Sequence, residues 1–532
     1  MTAPDPGTVS ETRSRSGRHA ALVAAGIFLS RIFGLVRQRV LSKYLGLSEA
    51  SDAFTSAFRI PNFLQNLLGE GVLSASFIPV YARLRAEGRD HEAEQVAGAV
   101  FGMLALVGSV VVLLGMLLAD PLTRLIAPGF GAEKLALTIR LVRILFPGAG
   151  LFVLSAWCLG VLNSHRRFLL SYAAPVIWNL AIIVTVIVAA GRTDERGIVV
   201  AAAAGSVLGS ALQFLVQLPT VFTLLRQFRP TLDTTSDHVR LVLRNFTPVF
   251  IGRGVVQISG WVDSILASLL GNGPVTALQN AQTIYMLPVS LFGMSISAAE
   301  LPAMSSATGN DEQIAAALRQ RLDAGLRRVA FFVVPSAAAF LLFGGVIAGA
   351  LYQTGRFTAS DTRFVWAILG GSAVGLLAAT MGRLYSSGYY ALRDTRTPLR
   401  YALLRVLLTT ALGYLCAVPL PILLGVDPRW GTPGLTGSAG VAGWLEFLLL
   451  QRGLNRRIGP TGLPLPYLIR LWSCALLAGG AGMAVWLGVP RLPPIPMAFA
   501  VLMPFGLGYL TLSHLLGVPE ARGLVGRLGR GR

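Results

Sequence analysis

The sequence predicts an all-α polytopic membrane protein with about fourteen transmembrane helices. Three observations predict it. Of 532 residues, 54% are hydrophobic and only 13% charged, where soluble domains carry roughly 25% charged residues. Apolar stretches of about 20 residues, enough to cross a bilayer, recur from end to end, and the mean hydropathy is +0.64. The interruptions are short and marked by Gly, Pro or charge, as in "DPLTRLIAPGFGAEK" and "YQTGRFTASDT", so no soluble domain fits between them.

Hydropathy places the spans at about 19–45, 52–82, 93–119, 136–162, 168–190, 197–225, 241–270, 275–304, 325–351, 362–391, 398–425, 432–454, 467–488 and 494–517. The first follows a polar tail, 1–18, and lacks the small-residue cleavage site of a secretory signal, so it reads as a retained span. Basic residues alternate between the connections. One side collects most of them, from Arg13, Arg15 and Arg18 to Arg522 and Arg527. The other holds only Arg124, Lys134, Arg192, Arg196, Arg356, Arg363, Arg429 and Arg491. Positive charge favours the cytoplasmic side, so both termini are expected there.

A faint repeat divides the chain. "LSASFIP" (Leu73 to Pro79) ends the second span and "ISAAELP" (Ile296 to Pro302) ends the eighth. Their separation by six spans, an even number, gives two halves of the same orientation, related by an axis along the membrane normal.

The net charge of +20 would suggest nucleic acid in a soluble protein. Here there is no basic, aromatic-interleaved soluble domain, and a basic fringe facing anionic membrane lipids accounts for the charge. Cys158, Cys416 and Cys474 lie singly in apolar segments, and the five histidines form no metal-ligand spacing. There is no GxxxxGK[ST] loop for an ATPase and no acidic metal-binding cluster for a glycosyltransferase.

Charges inside the spans carry the functional signal, because charge at mid-bilayer costs several kcal/mol unless it meets water or a partner. They gather in the first two spans of each half: Arg31, Arg37, Asp52, Arg59 and Glu70, then Arg253, Asp263 and Glu300. Glu446 in the twelfth span is an outlier. Arg31 lies about 18 Å from His19 and about 21 Å from Leu45 along a helix, beyond the reach of a snorkelling side chain. Arg37 is nearer an end. The two arginines are about 120° apart in azimuth, so they do not share one narrow stripe. Arg253 and Asp263 are about 80° and 15 Å apart, and Gln257 adds a polar position one turn from Arg253. Permanently charged arginines hold phosphates by paired hydrogen bonds, so the lining favours an anionic, phosphorylated cargo over a cationic one. "GEG" (Gly69 to Gly71) reads as a flexible point in or beside the second span.

The stretch "SRIFGLVRQRVLSKYLGLSEASDAFTSAFRIPNFLQNLLGEGVLSASFIPVYARL" closely resembles the N-terminal signature of the MurJ (MviN) family of lipid II flippases. "LFPGAGLFVLSAWCLGVLNSHRRFLLSYAAPVIWN", "LYQTGRFTASD" and "GYYALRDTRTPLR" extend the resemblance over nearly the whole chain. It implies the MOP superfamily fold: two six-helix lobes, here 19–230 and 231–460, and two further helices with a basic tail in 461–532. It implies a multi-pass protein of the bacterial cytoplasmic membrane that flips lipid II, the undecaprenyl-pyrophosphate-linked peptidoglycan precursor, by alternating access, alongside cell-wall synthesis enzymes. No cofactor is implied, only coupling to membrane potential or a cation.

Carried onto this sequence, the resemblance puts Arg31 and Arg37 on the family's cavity arginines, Asp52 on its motif acid and Glu70 on the acid of its "EG" pair. The chain departs from the family where arginines are common, at Gln65 and Thr283, and where an acid is common, at Met286. Arg253 is expected to compensate. Span eleven has no acid or asparagine, which leaves Asp263 as half of the sodium site that some members resemble. A flippase for another polyprenyl-linked glycan, a drug antiporter of the same superfamily, and a non-transporting scaffold that binds lipid-linked precursors remain as alternatives.

Overall fold

The computed structural model describes residues 26, 28–306, 308–489 and 492–529, without the side chains of 251–259 and 525–529. The whole polar tail, 1–18, and the side chains of Arg253 and Gln257 therefore lie outside the described residues. Among the described residues the regular structure is helical, apart from one isolated bridge between Thr354 and Phe357.

Nineteen α-helices follow one another: α1 (28–45), α2 (Glu49–Leu68), α3 (Glu70–Ala86), α4 (Asp90–Leu117), α5 (Ala119–Ile126), α6 (Ala132–Ser164), α7 (Phe168–Ala190), α8 (Glu195–Leu224), α9 (Asp237–Ser268), α10 (Pro274–Pro288), α11 (Ser295–Ser305), α12 (Asp311–Tyr352), α13 (Ala359–Ala391), α14 (Arg396–Ala417), α15 (Pro419–Leu423), α16 (Gly431–Ile458), α17 (Leu465–Gly488), α18 (Pro494–Leu515) and α19 (Pro519–Gly529). Ten helical segments among the described residues are long and apolar enough to cross a membrane. The helices α1, α2, α3, α5, α9, α16 and α19 fall outside those ten, α5 and α19 by their shortness. In α2 and α9 the reason is polarity: α2 carries Glu49, Asp52, Arg59 and three amides, and α9 carries charges along its length.

The second apolar stretch, read from sequence as one span, is two helices. Gly69 separates them with an extended backbone (φ −86°, ψ −155°), and a Cβ there would collide with the Gln65 carbonyl oxygen. The eighth is interrupted too. A π-helical turn, Val289–Met294, joins α10 to α11, a type of irregularity frequent at functional sites. The repeated heptapeptides thus occupy α3 and α11, each just after its interruption.

A second internal correspondence appears at the ends of α6 and α13. Arg166 and Arg393 both have φ of 59°, in the left-handed region that costs a non-glycine residue roughly 1–2 kcal/mol. In each cap the following amide returns to the helix: Arg167 N donates to Leu162 O and Asp394 N to Tyr389 O, both at 2.9 Å.

The chain divides into two compact units, 1–265 and 266–532. In the first, α6 is the central helix, packed by α2, α3, α4 and α8. Trp157 in its C-terminal third is wholly buried and donates Nε1 to Ala97 O at 3.1 Å. In the second, α13 holds the same central place between α12 and α16, and the α17–α18 pair packs on α12. Gly375 and Gly440 let α13 and α16 approach backbone to backbone, since a Cβ on Gly375 would meet the Gly440 Cα.

Candidate functional site

The first unit contains a cavity of about 620 Å³ walled by α1, α2, α3, α6, α7 and α8. Its lining is amide-rich: Asn62, Gln65 and Asn66 come from α2, Asn179 from α7 and Gln213 from α8. Ser30, Ser74 and Ser155 add hydroxyls, and Phe58, Phe152 and Trp178 form an aromatic side. Polar groups of this density inside a membrane protein are costly unless they meet water or a partner. Proximity to the Gly69 break is built in, because Gly69, Glu70 and Gly71 all line the cavity.

Arg37 reaches this wall from α1. Its guanidinium carbon lies 4.6 Å from the centre of the Trp178 ring, a cation–π contact. Trp178 is itself held by its Nε1, which donates to Ser206 Oγ at 3.1 Å, and by ring contacts with Phe58 and Phe152. The Arg37 Nε is buried without a hydrogen-bond partner. A cation fixed over an aromatic ring, with a donor left over, is built to take an acceptor. Arg31, one and a half turns earlier, is exposed, while its neighbour Ser30 lines the cavity.

Glu70 is exposed on the cavity in the first turn of α3, where the helix dipole favours a carboxylate. Arg59 donates to Gly260 O at 3.5 Å and is within electrostatic reach of Asp263, which ties α2 to α9. Asp52 is elsewhere. It is wholly buried and accepts from Lys134 Nζ at 2.9 Å, and Lys134, only 4% exposed, also lies 3.9 Å from the Phe130 ring centre. Lys134, read from sequence as a loop cation, is thus an interior residue of the α2–α6 contact.

The uncharged polar residues escaped a reading that followed charge. Amides inside apolar stretches, as in "NFLQN" (Asn62 to Asn66) and "GSALQFLVQL" (Gly209 to Leu218), were the available signal. In the second unit the outlier Glu446 pairs with Arg405 at 3.1 Å, and Glu300 pairs with Arg328 at 3.0 Å and Arg321 at 3.7 Å. Thr283 donates its hydroxyl to Gln279 O within its own helix, and Met286 is exposed.

The sequence pattern of the family described as "Lipid II flippase MurJ" matches residues 41–490. This chain belongs to that family. The lipid II flippase MurJ of Burkholderia cenocepacia is 31% identical over 519 residues, covering 94% of this chain and 98% of the relative. The probable lipid II flippase MurJ of Bdellovibrio bacteriovorus is 32% identical over 484 residues, covering 90% and 88%. Among solved structures, a lipid II flippase MurJ in an inward closed conformation superposes with a TM-score of 0.74 at 24% identity, over 95% of this chain and all of that one. An inward-facing multidrug transporter of the MATE family, in the MOP superfamily, gives 0.64 at 18% identity over 80% of this chain and 95% of its own. The chain therefore has the MurJ fold, in a multi-pass protein of a bacterial transporter family rather than an enzyme family.

Proposed function

We propose that this chain carries lipid II across the cytoplasmic membrane by alternating access, with the pyrophosphate held by arginine and the polyprenyl tail left in lipid. The observation that carries this reading is Arg37: a guanidinium fixed over Trp178 beside an amide-lined cavity, with a buried donor unpaired. A diphosphate supplies the acceptors and the opposite charge. Arg31, exposed on the same helix, adds a second cation, and Arg59, Glu70, Arg253, Gln257 and Asp263 complete the cargo path. Asp52 acts through Lys134, fixing the α2 end of the wall rather than touching cargo. Arg253 stands in for the cations absent at Gln65 and Thr283. Coupling is to membrane potential or a cation.

The same reading takes fourteen crossings, with α1, the α2–α3 pair, α9 and α16 adding four to the ten apolar segments. An even number puts both termini on one side, and the basic connections make that side cytoplasmic. The six-span lobes are then 19–230 and 231–460, with 461–532 appended.

Depletion of the protein in its host, with an assay of lipid II sidedness, tests the function. Inner-leaflet accumulation that wild-type protein reverses and Arg37→Gln does not is the expected result. Normal sidedness on depletion, or full rescue by Arg37→Gln at equal protein level, overturns it.

A further inference from the structure

The cavity has a second pole that the arginines do not explain. Ser155 of α6 accepts from two glutamines of α8, Gln213 Nε2 at 3.0 Å and Gln217 Nε2 at 2.7 Å. Gln217 Nε2 also donates to Gln213 O at 2.9 Å. Gln217 donates twice within this cluster and Gln213 once, and both side-chain carbonyl oxygens, Gln213 Oε1 and Gln217 Oε1, are left without a hydrogen-bond partner. Asn179 of α7 repeats the pattern: its Nδ2 donates to Pro175 O at 3.0 Å, and its Oδ1 is unpaired. All four residues are 7% exposed or less, and Ser155, Asn179 and Gln213 line the cavity.

Three buried carbonyl oxygens without donors, in the interior of a membrane protein, are an unfilled demand for N–H or O–H groups. A metal cation is a poor answer, because no carboxylate belongs to the cluster and among the described residues no group of metal-binding side chains occurs. A phosphate is worse, since carbonyl oxygens repel it. A neutral donor fits both the oxygens and the absence of charge.

We propose that Asn179 and Gln213, held by Ser155 and Gln217, form an acceptor subsite that reads the glycan of the cargo, taking amide N–H and hydroxyl groups of an N-acetylated sugar. This rests on the flippase reading and deepens it. The cavity divides its work: Arg37 beside Trp178 takes the anion, common to every polyprenyl diphosphate, and the glutamine wall selects what is attached to it. Gln217, behind the lining, positions Ser155 and through it Gln213. A site that hydrogen-bonds a donor discriminates against cargo lacking it, because its buried acceptors then go unpaired.

The test uses full-length protein in lipid nanodiscs and three probes: lipid II, the same polyprenyl diphosphate bearing an unacetylated glucosyl unit, and bare polyprenyl diphosphate. Gln213→Met and Gln217→Met are compared with wild type. Lipid II is expected to bind about tenfold less well to Gln213→Met, the loss of one or two neutral hydrogen bonds, with bare diphosphate unchanged. Gln217→Met should show a smaller loss of the same selectivity. Equal weakening for all three probes would assign the cluster to helix packing and overturn the proposal, as would unaltered selectivity in both variants. Arg37→Gln separates the two readings: if it leaves the binding of every probe intact, the flippase reading of this cavity fails whatever the glutamines do.

Discussion

The two units of this protein are built on one plan and differ in what lines their cavities. Each has a central helix, α6 or α13, that ends in a left-handed arginine cap, and each interrupts a long apolar segment just before a related heptapeptide. In the first unit the interruption is an extended glycine, and beside it lies a cavity lined by amides and hydroxyls with donors and acceptors left over. In the second unit the segment continues through a π-turn, and the interior charges are joined in pairs, Arg405 with Glu446 and Glu300 with Arg328. A cavity of about 360 Å³ in that unit is lined by Trp444, Trp472, aliphatic side chains and a single hydroxyl residue, Ser473. Paired charges hold helices together, whereas a buried polar atom without a partner is open to a ligand; such atoms gather at the cavity in the first unit, and the second has them singly, as at Ser297 Oγ. The first unit therefore holds the cavity lined by amides and hydroxyls, and the second holds these interior ion pairs.

The largest expected effect breaks or keeps that contrast directly. Arg37→Gln should weaken binding of a polyprenyl diphosphate by about tenfold or more, since charge-assisted hydrogen bonds contribute about 1.5–3 kcal/mol. Arg37→Lys should recover little of it, because an ammonium lacks both the fork and the flat face that lies over Trp178. Arg405→Gln, in the second unit, should leave diphosphate binding near wild type. Equal losses from Arg37→Gln and Arg405→Gln, by the same titration, would break the comparison.

The apolar plan was legible because hydropathy is local. The expected span 168–190 coincides with α7, and the expected end of the tenth span at 391 is the end of α13. Partners distant in sequence were not legible. Asp52 and Lys134 are 82 residues apart, and nothing in either neighbourhood announces the other. Glu446 looked anomalous until Arg405, on another helix, supplied its partner. Depth along the helix singled out Arg31 and not Arg37, but packing shows that Arg37 meets Trp178 while Arg31 stays exposed. The glycine break was foreshadowed by "GEG", whereas the amide wall was passed over because uncharged residues cost less in hydropathy than charged ones.

The next effects sharpen the contrast at the level of stability. Asp52→Asn or Lys134→Met alone strands a buried charge, and each should cost about 3–5 kcal/mol of stability. The double variant Asp52→Asn/Lys134→Met should recover most of that loss in thermal unfolding in detergent, a recovery expected for a structural pair. Failure of the double variant to recover would give one of the two a separate duty. Gly69→Ala should cost less, about 1–3 kcal/mol, as the new methyl presses on the Gln65 carbonyl and pushes α2 from α3. Its transport defect should exceed its stability defect, because Gln65, Gly69 and Glu70 all line the cavity.

The smallest effect compares the two arginine caps. At the end of α6, His165 accepts at Nδ1 from Arg85 at 2.7 Å, so its Nε2 carries the proton and faces the Tyr81 hydroxyl at 2.9 Å. Burial, reinforced by the Arg85 and Arg167 charges against the opposing pull of Asp90, lowers its pKa to about 4. At the end of α13, hydrogen bonds from Thr397, with Arg457 adding to them, hold Asp394 at about 2. In each case the folded protein binds fewer protons than the unfolded chain in a defined window. For His165 that window runs from about 6.5 down to about 4, and stability present above it is lost as pH falls through it. For Asp394 the window runs from about 3.8 down to about 2. Between pH 6.5 and 4, then, the first unit's cap titrates and the second unit's cap does not. Thermal unfolding of wild type should show a fall over that range which His165→Asn reduces and Asp394→Asn leaves in place. An Asp394→Asn variant that removed the fall instead would assign the acid response to the other cap.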